Sequence, residues 1–332
     1  MMKRVIFSLG LVALLSPVIA EDSLLLENIP VREDMKLIAT ALSGDGEKAA
    51  IATDRGEIWL LNQPGATSGK FSDYQWKKFA SGLRDPSALR FVDAGRLVVR
   101  QSVETTLVID SNEDGIADEY LAVSSDEMPE SRVKSPFEGF VWLEKPEEAG
   151  PFAGQFFGGS QTGNFLSRLA VETSEEGTHS TLFVFQKGLT YPVEAMTRLD
   201  DKTWIIAESN RSDPERTRTK FAIQKAIQQD VDPFEAVSIK RIDTGVEISF
   251  TKALLQDTAE ATWSYLVNSM EEEGGGQKVV AATLSGDQKK VTLTCEPGLK
   301  PGQVYHISYG GLWSVDRDPV RNSVAMFTYQ AK

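Results

Sequence analysis

The sequence predicts an all-β protein: a partial or small β-propeller of roughly four to five blades, followed by an immunoglobulin- or fibronectin-III-like β-sandwich. Three observations predict it. Short apolar runs of about five residues recur at intervals of about ten, separated by Gly, Asp and Pro. Strands carrying a Trp and ending in a turn recur near Trp59, Trp142 and Trp204, and comparable elements along the chain repeat at roughly the blade period of about 40 to 45 residues. Past Asp232-Pro233 the hairpin pattern sharpens over about a hundred residues, the size of a sandwich of roughly seven strands.

The chain opens on a processing signal. Lys3 and Arg4 form a basic n-region, Val5 to Leu15 an apolar run, and Val18-Ile19-Ala20 a small-residue cleavage site. The run is too short to span a bilayer as a mature helix, and no later stretch is long enough. Residues 1–20 are therefore expected to be a signal peptide, with the protein exported to the periplasm or beyond the cell. Residues 21–231 are assigned to the propeller and 232–332 to the sandwich.

The blades begin with KAAIAT (48–53) and EIWLLN (57–62), joined by the polar turn DRG. Further short strands cover 76–80, 88–92, 96–100 and 106–109, broken by SGLRDP, DAG and SVE. FEGFVWLEK, FLSRLAVET, STLFVFQKG, AMTRLDD and KTWIIAES continue the texture. The tips RLDDKTW and FVDAGRLVV share one pattern, an acidic turn between two apolar strands. Residues 124–136 read as a long polar loop and 208–219 as an exposed charged segment. KFAIQKAIQQ (220–229) has helix-forming composition but suits a closing strand equally. In the tail, EAVSIKRIDTGVEISFTKAL and KVVAATLSGDQKKVTLTCEP each read as strand, turn and strand.

Charge and composition exclude some functions. The net charge is −13, which opposes a general nucleic-acid binder, because phosphate contacts need a basic face. With one cysteine, Cys295, no internal disulfide forms. Its place in the alternating run VTLTCEP makes it a small buried hydrophobe.

Several segments together resemble a known family. ATDRGEIWLL, FASGLRDPSALRFVDAGRLVVRQSVETTLVIDSNEDGIADEY and AGPFAGQFFGGSQTGNFLSRL are similar to the large secreted propeller proteins of planctomycete and verrucomicrobial type. That family is related to the glucose/sorbosone (quinoprotein) dehydrogenases. The tail segments ISFTKALLQDTAEATWSY and LSGDQKKVTLTCEPGLKPGQVYHISYGGLWSVDRDPV resemble the immunoglobulin-like module that follows the propeller there. The resemblance implies a bacterial exported protein and leaves open a quinone- and calcium-dependent sugar or alcohol dehydrogenase. The chain departs from the family between the DGIADE loop and AGPFAGQ, where relatives carry His-bearing blades. A single Cys cannot supply the C-x-x-C-H haem attachment of many relatives, so covalent haem is not expected. The chain reads as a reduced member.

Chemistry has few candidates, and no catalytic residue is assigned. A quinoprotein dehydrogenase needs a base beside the substrate hydroxyl, usually His. The two His are His179, read as a hairpin-tip residue, and His306, in a predicted sandwich strand. No G-x-S-x-G elbow, P-loop or H-E-x-x-H is present. The remaining motif is DSNEDGIADEY. Asp110, Asn112, Asp114, Ile116 (by its carbonyl) and Asp118 fall in the order of an oxygen-ligand calcium loop, with Gly115 at the sharp turn. Leu121 stands where an EF-hand carries its bidentate Glu, which leaves a strand-borne structural calcium loop. The alternative is a polar turn whose Asp and Asn side chains bond their own backbone. The leading expectation is a non-catalytic or degenerate propeller that binds carbohydrate or an envelope protein. Trp142, Gln161, Asn164 and Trp204 are its candidate contacts, although large aromatics more often build cores.

Overall fold

The computed structural model describes residues 24–31, 39–44, 47–62, 74–102, 104–124, 140–142, 150–173, 175, 177–200, 202–211, 213, 215, 217–231, 233–270 and 276–331. The expected signal peptide, most of the 124–136 loop and the side chain of Trp142 lie outside these residues. Nearly every regular element is a β-strand.

Two antiparallel meanders open the fold. The first is β2 (Ala39–Gly44), β3 (Lys48–Thr53), β4 (Ile58–Asn62) and β5 (Gln75–Ala80); the second is β6 (Ala88–Asp93), β7 (Arg96–Arg100), β8 (Thr105–Ile109) and β9 (Glu119–Ser124). A third comprises β10 (Phe140–Trp142), β11 (Phe156–Ser160), β12 (Phe165–Thr173) and β13 (Gly177–Lys187). The fourth uses β14 (Val193–Arg198), β15 (Thr203–Ser209) and β16 (Phe221–Gln228), and takes its outer strand from β1 (Leu24–Asn28). Among the described residues the propeller thus has four blades. Their first strands are neighbours: β14 packs on β2, β2 on β6, and β10 on β14.

KFAIQKAIQQ is resolved in favour of the strand. β16 is flanked on both sides, by β15 and by β1 in the register Leu24↔Gln228 to Asn28↔Gln224. Ile223 and Ala226 are buried on opposite faces, so ladder bonds and burial override the helical composition of Lys, Gln and Ala. The β1–β16 pairing ties the start of the described chain to its last blade and covers an edge that would otherwise be open.

β17 (Ala236–Ile242), β18 (Gly245–Phe250), β21 (Lys290–Glu296) and β20 (Gly276–Leu284) form one sheet of a sandwich in that order. β19 (Leu266–Ser269), β22 (Val304–Ser308) and β23 (Val324–Ala331) form the other, joined to the first through β20. Inward residues alternate along these strands, as in Val246, Ile248 and Phe250 or Val291, Leu293 and Cys295, all buried in one core. Burial pushes the Cys295 thiol up to about 11, as expected for a packing residue.

The two halves share a sheet. β13, the last strand of the third blade, also pairs with β23 from Gly177↔Ala331 to Phe183↔Ala325. An 11-stranded sheet therefore runs from the blade through the sandwich. Phe183 and Ala170 of the blade belong to the sandwich core cluster. His179 is placed differently from the sequence expectation. It lies inside β13, 8% exposed, stacked on Tyr329 and Phe327 at ring-centroid distances of 5.3 and 6.2 Å. The polar stretch EEGTHS looked like a turn, but pairing with β23 extends the strand back to Gly177.

Candidate functional site

Two buried ionisable groups, Arg168 and Glu235, meet at the joint of the third blade and the sandwich. Arg168, in the middle of β12, is fully buried between the third blade and the sandwich. Its Nη2 donates to Glu235 Oε2 and to the Ala236 carbonyl, each at 3.0 Å, and its Nη1 donates to Gln155 Oε1 at 2.6 Å. The guanidinium lies 3.7 Å from the centroid of the Phe152 ring and 4.9 Å from that of Phe183. Gln155 completes the tie by donating to the Val237 carbonyl at 2.9 Å. Asn322, before β23, donates to the Phe185 carbonyl and faces Glu235 Oε1. Burial pushes the Glu235 carboxyl up, and Arg168 opposes that rise. A guanidinium stays protonated in proteins, so the site holds a fixed cation against the Glu235 carboxyl.

A second buried carboxylate sits between the third and fourth blades. Glu208 on β15 is 2% exposed and accepts the Tyr191 N–H at 2.8 Å. Its Oε1 is buried without a hydrogen-bond partner. Burial pushes this carboxyl up to about 7, with the backbone N–H groups of Tyr191 and Thr190 pulling it back. Asn164 reaches the same connection, donating from Nδ2 to the Thr190 carbonyl at 3.1 Å. Asn164 thus ties the β11–β12 turn to the β13–β14 connection. Gln161 is exposed on that turn, which Ser160 Oγ stiffens by accepting the Gly163 N–H at 2.8 Å.

Trp204 is corrected from contact to core. It is 7% exposed and stacks on Phe157 with centroids 6.2 Å apart. β15 is buried on both faces along its whole length, so Trp204 packs there as a core residue. Trp142 pairs with Gly158 in β10; its side chain is outside the described residues. Gln161 and Asn164 thus share the β11–β12 turn, and Trp204 belongs to the core.

DSNEDGIADEY connects β8 to β9 and is largely exposed. Asp110 accepts the Asp114 N–H at 3.1 Å through Oδ1 and the Gly115 N–H at 2.7 Å through Oδ2. Asn112 Oδ1 accepts the Asp114 N–H at 3.0 Å, and Asp114 Oδ1 the Ile116 N–H at 2.8 Å. Asp118 accepts Ser111 N–H and Oγ–H, both at 3.0 Å; these bonds hold its carboxyl below the usual range. Gly115 adopts φ +78°, which glycine allows without cost. Lys77 Nζ donates to the Asp114 carbonyl, placing a cation beside the loop. Among the described residues no three His, Cys, Asp or Glu side chains converge as a metal-holding group.

Arg168, Glu235 and Glu208 were not singled out by the sequence reading. A polar residue in FLSRLAVET carries no mark of burial, and its partner lies 67 residues away.

No family model matches the chain, and no curated protein does. Solved structures give distant similarity only. The tricorn protease is 14% identical over 87% of this chain and 25% of its own, with a TM-score of 0.21; this chain thus spans about a quarter of it. The AfRom2 CNH domain is 7% identical over 92% of this chain and 99% of its own, TM-score 0.23. Hsv2 of Kluyveromyces lactis is 8% identical over 65% of this chain and 70% of its own, TM-score 0.19.

Proposed function

We propose that this chain is an exported, non-catalytic interaction module, in which a four-bladed propeller and a sandwich act as one rigid body toward carbohydrate or an envelope protein. The strand orders β17-β18-β21-β20 and β19-β22-β23 match the four-plus-three arrangement of an immunoglobulin constant-type domain, which supports an immunoglobulin-like reading of the tail. Among the described residues, no helix is long and apolar enough to cross a membrane.

The observation that carries the proposal is where the buried ionisable groups lie. Arg168 and Glu235 join the halves, and Glu208 holds a connection between blades. The dehydrogenase alternative needs a base beside a substrate hydroxyl. His179 is stacked inside a sheet and His306 belongs to β22, so that alternative rests on family resemblance alone. For DSNEDGIADEY we favour the polar turn over the calcium loop. Asp110, Asn112, Asp114 and Asp118 accept the loop's own donors, which supports that reading.

The test pairs two assays on the purified chain. One measures retention of glycans and envelope proteins; the other measures dye-linked oxidation of sugars and alcohols with added quinone and calcium. Saturable retention without turnover is expected. Turnover above the blank overturns the proposal.

A further inference from the structure

The sandwich carries an exposed aromatic surface that none of the sites above uses. Residues 253–255 and 313–315 run side by side: Leu255 N–H donates to the Trp313 carbonyl at 2.8 Å and Val315 N–H to the Ala253 carbonyl at 2.9 Å. Leu254 and Ser314 face inward and are fully buried. Alternation therefore turns Leu255, Trp313 and Val315 outward together, and Trp313 and Val315 are 41% and 43% exposed. Two positions back, in the turn that precedes this pair, is Gly311, and the edge of the Trp263 ring lies 3.5 Å from where a Cβ would stand there. Trp263 is 77% exposed. The Trp263 ring thus lies at ordinary contact distance from position 311, two residues from Trp313.

Beside this aromatic strip is an open groove of about 730 Å³. Leu255 and Val315 form part of its wall, and Gln256, Asp257, Glu260 and Gln288 bring amides and carboxylates to it. Two of these are already set in place. Gln256 Nε2 donates to Glu260 Oε2 at 2.9 Å, and Glu260 Oε1 accepts the Leu284 N–H at 3.3 Å. The short helix Gln256–Ala259 (α1) and the turn Thr262–Ser264 that follows are pinned by Ser264 Oγ–H, which donates to the Thr258 carbonyl at 3.0 Å. The platform is held by backbone bonds and by the core beneath it.

We propose that this strip and groove bind the pyranose rings of a neutral glycan. A pyranose has a C–H face that packs on an indole and a rim of hydroxyls that hydrogen-bond amides and carboxylates. The surface offers both in adjacent places: Trp263 and Trp313 for the rings, and Gln256, Asp257, Glu260 and Gln288 for the hydroxyls. The two carboxylates choose among glycans, because like charge repels uronate and sulfated sugars. The inference rests on the interaction-module reading, deepens it from carbohydrate in general to neutral glycans, and moves the contact from the propeller to the sandwich.

The experiment is calorimetric titration of the full chain with cellohexaose, mannohexaose and chitohexaose, with hexagalacturonate as the anionic probe. Trp263→Ala and Trp313→Ala are compared with the parent chain, and melting curves confirm that both variants fold. The expected result is saturable binding of at least one neutral hexasaccharide and none of hexagalacturonate. Each Trp variant should weaken binding about tenfold, the loss of one aromatic contact. Binding that survives both substitutions overturns this inference while leaving the interaction-module reading standing. Binding of no neutral hexasaccharide also overturns it, and the envelope-protein retention assay then decides the broader reading by itself. Preference for hexagalacturonate overturns the charge argument and with it the proposal.

Discussion

Arg168 on the third blade and Glu235 at the entrance to the sandwich form an ion pair at 3.0 Å, with side chains 0% and 1% exposed. The pair lies where blade, sandwich and the connection between them meet. Desolvating two charges is expensive, and such a pair is held by geometry and auxiliary hydrogen bonds rather than by charge attraction alone. Here Gln155, the Ala236 carbonyl and the Phe152 face supply that support.

Removing one partner leaves the other charge buried and unmatched. Arg168→Met and Glu235→Leu are each expected to destabilise the protein by about 3–5 kcal/mol in denaturant unfolding. The double variant, with apolar groups at both positions, should lose less than either single variant. A double variant that loses the sum of the two would show that the residues do not act as a pair.

Glu208 makes stability depend on pH. Its carboxyl is raised from 4.5 to about 7 in the folded protein, so between those values the folded state binds the extra proton and the unfolded state does not. The stabilisation is complete below about 4.5 and is lost as pH rises through about 7. Each pKa unit is about 1.4 kcal/mol, so the effect is on the order of 3 kcal/mol. Glu208→Gln should flatten this slope and raise the melting temperature more at pH 8 than at pH 5. An unchanged slope would place the titrating group elsewhere.

The DSNEDGIADEY turn is expected to melt at the same temperature in EDTA and in excess calcium. Asp110→Ala removes the acceptor of two backbone N–H groups and should destabilise by about 1–2 kcal/mol with or without calcium. A saturable calcium-dependent rise, lost in Asp110→Ala, would make the stretch a metal loop instead.

Local pattern made the architecture readable, and its limits follow from distance. A short apolar run bounded by turn residues marks KAAIAT and alternation marks VTLTCEP, because each carries its burial pattern within a few residues. The pairing of Leu24 with Gln228, and of Gly177 with Ala331, joins segments too far apart for any local signal. KFAIQKAIQQ stayed ambiguous for that reason: only β1 and β15 on either side make it a strand. Lys225 shows the same effect, a residue expected at the surface that is 1% exposed and bonded to Glu27 at 2.9 Å. At the candidate sites, an Asp-rich turn was visible as a motif, but whether its oxygens face a metal or their own backbone is a three-dimensional fact. Trp204 and Trp263 look alike in sequence. One lies on a strand covered on both faces, the other on a short turn at the surface.

The central claim is that propeller and sandwich are one cooperative body joined through β13, β23 and the Arg168–Glu235 pair. Differential scanning calorimetry of the parent chain and of Arg168→Met tests it most directly. The account predicts a single transition in the parent, and in Arg168→Met either a split or a shift of the whole transition to lower temperature. Two transitions in the parent, with the sandwich melting at a temperature that Arg168→Met leaves unchanged, would contradict it.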